Sequence, residues 1–230
     1  MALNTILLSI PFIASIGLYF TLLIPEHIPS LWSTVVKCLP ILSLALFTRL
    51  HEGFVDETRI NRKIFTGLLF SCVGDACLIW PEYFLYGVVA FGVAQILFIR
   101  AAGIEPLNLK LGLVFIPYAN IVLYLIRAGV MEQPIVLAAA VFLYSPILLG
   151  RVWLACSKFL RHPGNSTNAL ESIAALSFMV SDSYLSLNRF YSVLPYHQEI
   201  VMFTYYLAQA AVTFTVLNES KRGNKKSKIK

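Results

Sequence analysis

The chain has 230 residues, 58% of them hydrophobic and 13% charged, with a mean hydropathy of +0.74. That much apolar surface excludes a soluble globular domain of this size. The formal net charge of +6 is concentrated in the final stretch "KRGNKKSKIK", which after a membrane span points to anionic lipid or the cytosolic side rather than to nucleic acid.

Taken in chain order, the apolar runs predict eight spans, over about 3–24, 32–50, 64–80, 83–102, 109–127, 134–155, 170–187 and 197–217. Most are long enough to cross a hydrocarbon core of about 30 Å. The first run lacks a basic leader and a small-residue cleavage site, so it reads as a span and not as a signal peptide. Leu50 to Lys63, "LHEGFVDETRINRK", is the clearest polar break, and "KFLRHPGNSTN" is the second. Spans 3 and 4 are separated only by "PEY", which makes them a tight helical hairpin. Pro11, Pro40, Pro117 and Pro146 fall within spans, where neighbouring helices can satisfy the freed backbone groups. The fold class is therefore all-α: a polytopic membrane protein with one integral domain over 1–220 and a basic tail over 221–230.

Of the 18 Lys and Arg residues, fifteen follow spans 2, 4 and 6 or lie in the tail, Arg151 being counted with the break after span 6. Two follow odd-numbered spans, and Lys37 lies inside span 2. The positive-inside rule then puts both termini in the cytosol. The terminal "KSKIK" resembles a di-lysine retrieval signal of endoplasmic-reticulum membrane proteins. The cysteines Cys38, Cys72, Cys77 and Cys156 lie within apolar runs without a C-x-x-C pair, and read as small buried hydrophobes.

Within the spans, Lys37, Asp75 and Asp182 remain as ionisable side chains. Each costs about 2.5–3.5 kcal/mol at a helix centre, so such groups face an interior and usually serve function. Each lies about five residues from the non-cytosolic end of its span, about 7–8 Å deep at 1.5 Å per residue. Span 3 carries "FSCVGDACL" and span 7 "FMVSDSYL", and each following span has a glutamine, Gln95 in "VAQIL" and Gln209 in "LAQAA". Two parallel halves, spans 1–4 and 5–8, would account for this. Ser71 lies one turn before Asp75, Ser186 and Arg189 one and two turns after Asp182, and Asn188 opens the "NRF" exit. Tyr205, Tyr206 and Gln209 line span 8. These polar side chains are candidate substrate contacts, and each is also of a type that packs and hydrogen-bonds between membrane helices.

The stretches "VVKCLP" (35–40), "GLLFSCVGDACLIW" (67–80), "ALSFMVSDSYLSLNRF" (175–190) and "TYYLAQ" (204–209) together resemble the YhhN-like lysoplasmalogenases, multi-span membrane proteins of bacteria and animals. The resemblance runs in order over nearly the whole chain. One departure is "AQILF", with Gln95 and Phe98, where relatives carry His followed by Tyr. What the resemblance implies is hydrolysis of the vinyl ether of a lysoplasmalogen, without cofactor or metal, releasing a fatty aldehyde and a glycerophospho-base. That chemistry needs a general acid for the β-carbon and a carboxylate to stabilise the oxocarbenium ion and orient water, as in glycosidases. Asp182 as donor and Asp75 beside Lys37 as the ionised partner fit, and the roles can be exchanged. Lys37 or Arg189 could hold the phosphate. The expected partners are the lysophospholipid and membrane lipids, not nucleic acid, and a homo-oligomer is compatible with the sequence.

A small-molecule or lipid transporter or binding protein using the same polar interior is the competing expectation, although no span pair shows matching Gly/Pro interruptions. An intramembrane aspartyl protease is disfavoured. Its G-x-G-D motif would need Gly where Cys72 stands, and P-A-L is absent.

Overall fold

The computed structural model describes residues 2–24, 29–51 and 59–227, with side chains over 5–24, 29–50 and 60–217. Eight α-helices make up the described chain: α1 (Ala2–Leu22), α2 (Leu31–His51), α3 (Arg59–Ile79), α4 (Phe84–Ala102), α5 (Leu109–Met131), α6 (Ile135–Arg161), α7 (Ser166–Phe190) and α8 (His197–Ser227). They coincide one for one with the predicted spans. The centre of the polar break at 50–63 and the last three residues of the "KSKIK" signal lie outside the described residues.

Six helices are long and apolar enough to cross a membrane: all but α3 and α7. These two carry the charges. Arg62, Lys63 and Asp75 dilute α3; Glu171, Asp182 and Arg189 dilute α7. The four prolines named above sit inside helices α1, α2, α5 and α6 without ending them. The "PEY" link is a single 3-10 turn, Pro81–Tyr83. Asn108 and Asn165 cap α5 and α7, each side-chain oxygen accepting the backbone N–H two residues on.

Small side chains set how closely neighbouring helices pack. α3 and α4 pack closely as an antiparallel hairpin, as do α7 and α8. Gly67 and Gly74, two turns apart on α3, receive the rings of Phe98 and Phe91, two turns apart on α4. A methyl on Gly67 would stand 2.5 Å from Phe98, and one on Gly74 2.6 Å from Phe91. The largest apolar cluster joins α1, α2, α3 and α8 around Ile41, Leu44, Leu68, Met202, Tyr205 and Tyr206. α5 packs on α6 and α7 at the periphery. The four cysteines are free thiols, and Cys38 donates to the Cys72 carbonyl at 3.5 Å.

Gly67→Ala should destabilise the protein by about 1–3 kcal/mol through overpacking against Phe98. Gly150→Ala, whose added methyl meets nothing within 4 Å, should be neutral or stabilising by up to about 1 kcal/mol. Unfolding of both variants in mixed micelles by a denaturing detergent measures the contrast.

Candidate active site

The two membrane carboxylates occupy different surroundings. Asp75 is 2% exposed and accepts a 2.7 Å hydrogen bond from the Tyr205 hydroxyl. Lys37, 5% exposed, is close enough to act on it electrostatically. Tyr206 donates to the Lys37 carbonyl at 3.0 Å, tying α8 to the turn of α2 that carries the ammonium. Gln209 sits one turn beyond Tyr205, fully buried with its amide against the Tyr205 hydroxyl, and Ser71, one turn before Asp75, has a fully buried hydroxyl with no partner among the described residues. Of the residues expected at the site, Asp75, Lys37, Ser71, Tyr205, Tyr206 and Gln209 therefore gather at the α2–α3–α8 junction.

Asp182 is half-buried and lines an apolar cavity of about 110 Å³ bounded by α4, α5, α6 and α7. Its Oδ2 accepts a hydrogen bond from Tyr144 of α6, and its cationic neighbour is Arg151 of the same helix. Arg189, the cation expected to pair with Asp182, instead lies over the Phe84 ring at 3.8 Å. Gln95 faces Tyr144 and accepts a hydrogen bond on Oε1 from Arg151.

Among the described residues, no hydrogen bond and no shared hydrogen-bonding partner joins the two acids. Between the clusters stands an aromatic layer. Phe91, Phe178 and Tyr205 meet edge to face, with centroids 5.6–5.9 Å apart. Phe91 also lines the Asp182 cavity, so its ring, seated on Gly74, stands between that space and α3 next to Asp75. The helices also run on by different lengths beyond the two acids. α7 continues to Phe190, eight residues past Asp182, whereas α3 ends four residues past Asp75. At 1.5 Å per residue, those offsets are about 12 and 6 Å.

A second space of about 300 Å³ adjoins the cavity, lined by Lys37, Asn188 and Arg189. Leu78, Phe84 and Leu185 line both. Asn188 is itself held by the Leu194 N–H, which donates to its Oδ1 at 2.9 Å. The result is one apolar chamber with a carboxyl and two tyrosines, Tyr118 and Tyr144, on its wall, and beside it a polar vestibule with two cations.

Sequence reading missed Tyr144 and Arg151. Arg151, counted above with the basic break after span 6, is 3% exposed inside α6. The signal was present: "VFLYSPILLGRVWLAC" places it among apolar residues on both sides.

The YhhN family model matches residues 32–216. The chain belongs to the YhhN family. Lysoplasmalogenase TMEM86B of Sus scrofa is 36% identical over 215 residues, 92% of this chain and 87% of the relative. Lysoplasmalogenase TMEM86A of Homo sapiens is 35% identical over 217 residues, 90% of this chain and 88% of the relative. Lysoplasmalogenase TMEM86B of Rattus norvegicus is 36% identical over 207 residues, covering 90% and 82%. No solved structure matches.

Tyr205→Phe removes the hydroxyl donor to a sealed carboxylate and should cost about 1–3 kcal/mol of stability. Tyr144→Phe should cost less, because Asp182 opens onto the cavity and can be reached by water. Denaturing-detergent titration of the two variants and the double variant checks the order.

Proposed function

We propose that this protein hydrolyses the vinyl ether bond of lysoplasmalogens, releasing a fatty aldehyde and a glycerophospho-base. The observation that carries this reading is the adjacency of the two spaces. A lysoplasmalogen is an amphiphile whose reactive bond lies a few atoms from its phosphate. Lys37 and Arg189 in the vestibule suit the phosphate, the cavity suits the start of the alkenyl chain, and Asp182 stands on the cavity wall. The similarity to proteins named lysoplasmalogenase supports the same substrate class.

In this reading, Asp182 is the general acid. Tyr144 holds Oδ2 and leaves Oδ1 to carry the proton. Proton transfer to the β-carbon forms a C–H bond and leaves an oxocarbenium ion at the α-carbon. Water adds there and returns one proton to Asp182. The hemiacetal then collapses, its C–O bond breaking to give aldehyde and alcohol. Asp75 is the ionised partner. Held by Tyr205 and beside Lys37, it acts through its field on the developing cation and keeps the Lys37 ammonium at the vestibule.

All eight helices cross the membrane in this reading, α3 and α7 being shielded by their neighbours. The charge asymmetry supports cytosolic termini, and the di-lysine-like ending supports residence in the endoplasmic reticulum. A 4 + 4 duplication is supported by the packing: α3–α4 matches α7–α8, and α4–α6 matches α8–α2. It is also supported by "PIL" at 40–42 and 146–148, and by Phe91–Gln95 against Tyr205–Gln209, each pair one turn apart.

Purified protein given a lysoplasmalogen should release aldehyde, and none from the saturated ether analogue. Asp182→Asn and Asp75→Asn, if they fold, should each lower kcat by about 100-fold or more. Full turnover in both variants would overturn the assignment, and equal turnover of acyl lysolipids would indicate an esterase.

A further inference from the structure

Hydrolysis consumes one water per turnover, yet Asp182 faces a cavity whose walls are mostly apolar and whose polar neighbour, the vestibule, is filled by the headgroup once substrate is bound. Water needs another route. The missed residues supply one. On α6, Tyr144, Arg151 and Lys158 recur every seven residues, a single stripe along one face. On antiparallel α7, Asp182 and Glu171 are eleven residues apart, again on one face and about 16 Å along the axis. Arg151 lies between them and acts electrostatically on both. Its Nη1 donates to Gln95, and its guanidinium lies 4.7 Å over the Phe98 ring.

Two donors in this column have no acceptor among the described residues, Arg151 Nε and Arg151 Nη2, both fully buried. A buried guanidinium with two unpaired nitrogens is costly unless water completes it. At the far end, Glu171 is 6% exposed and lines a polar space of about 390 Å³ with Lys158, His162, Asn168 and Thr215. That space lies at the end of the bundle opposite the vestibule.

We propose that Glu171, Arg151, Gln95 and Tyr144 form a hydrated column through which water from this polar space reaches Asp182, with Arg151 and Gln95 as positioning residues. The inference rests on the lysoplasmalogenase reading for its purpose, but the hydration of the column is testable without turnover.

In detergent, a cysteine in a wet column reacts with a small cationic thiol reagent, whereas a thiol in dry packing does not. Gln95→Cys, in a background with the four native cysteines replaced by serine or alanine, should be modified at least about tenfold faster than Ala94→Cys, its fully buried neighbour. Adding Glu171→Leu should slow that modification about tenfold. In the native background, Glu171→Leu should lower kcat for lysoplasmalogen about tenfold with KM unchanged, while Glu171→Gln, which keeps the column polar, should restore most of it. Equal reactivity of the two cysteines overturns the column whether or not the protein is a hydrolase. Wild-type kcat in Glu171→Leu overturns the route, because water would then arrive through the vestibule. Absence of any wild-type turnover together with fast Gln95→Cys modification removes the hydrolase reading alone and leaves the column standing.

Discussion

The bundle is organised around the cost of keeping charge away from water. A carboxylate or guanidinium surrounded by apolar helices is tolerated only where neighbouring helices bring it partners. Asp75 requires Tyr205 from α8 and Lys37 from α2; Arg151 requires Gln95 from α4 and carboxylates from two levels of α7. These demands fix which helices must touch. α3 and α7 are too polar to stand alone against lipid, and each is placed where neighbours on both sides can cover its charged face.

Glycine then sets how closely that cover fits. Gly67 and Gly74 let Phe98 and Phe91 lie on the α3 backbone, and each ring has a second duty. Phe98 is the platform under the Arg151 guanidinium, and Phe91 is part of the wall between the Asp75 cluster and the cavity. Packing and electrostatics thus meet at the same side chains, the two rings that rest on the α3 glycines.

Much of this was legible in the sequence. The eight helices and the three-residue hairpin link could be read directly, because apolar length and a Pro after Trp80 are local signals. Asp75, Lys37, Tyr205 and Tyr206 could be nominated because a polar residue in an apolar run is conspicuous. What could not be read was which polar residues share a neighbourhood. Asp75 and Asp182 look equivalent in their motifs, yet each is held by a tyrosine from a different helix, and the aromatic layer dividing them is contributed by three separate helices. Arg151 was lost for a different reason. It stands only seven residues before Lys158, near enough to the basic end of α6 to be counted with it, and only burial distinguishes the two.

The position of α5 has a consequence for kinetics. α4 and α5 both line the Asp182 cavity but make few direct contacts with each other, so with the bundle in a bilayer that wall would be completed by hydrocarbon. An amphiphile diffusing in the plane of the bilayer would meet this seam without first passing through solution, and a long-chain aldehyde could leave by it. Turnover would then follow the mole fraction of the lipid in the membrane and not its bulk concentration, so that diluting the bilayer with inert lipid would slow the protein at constant total substrate.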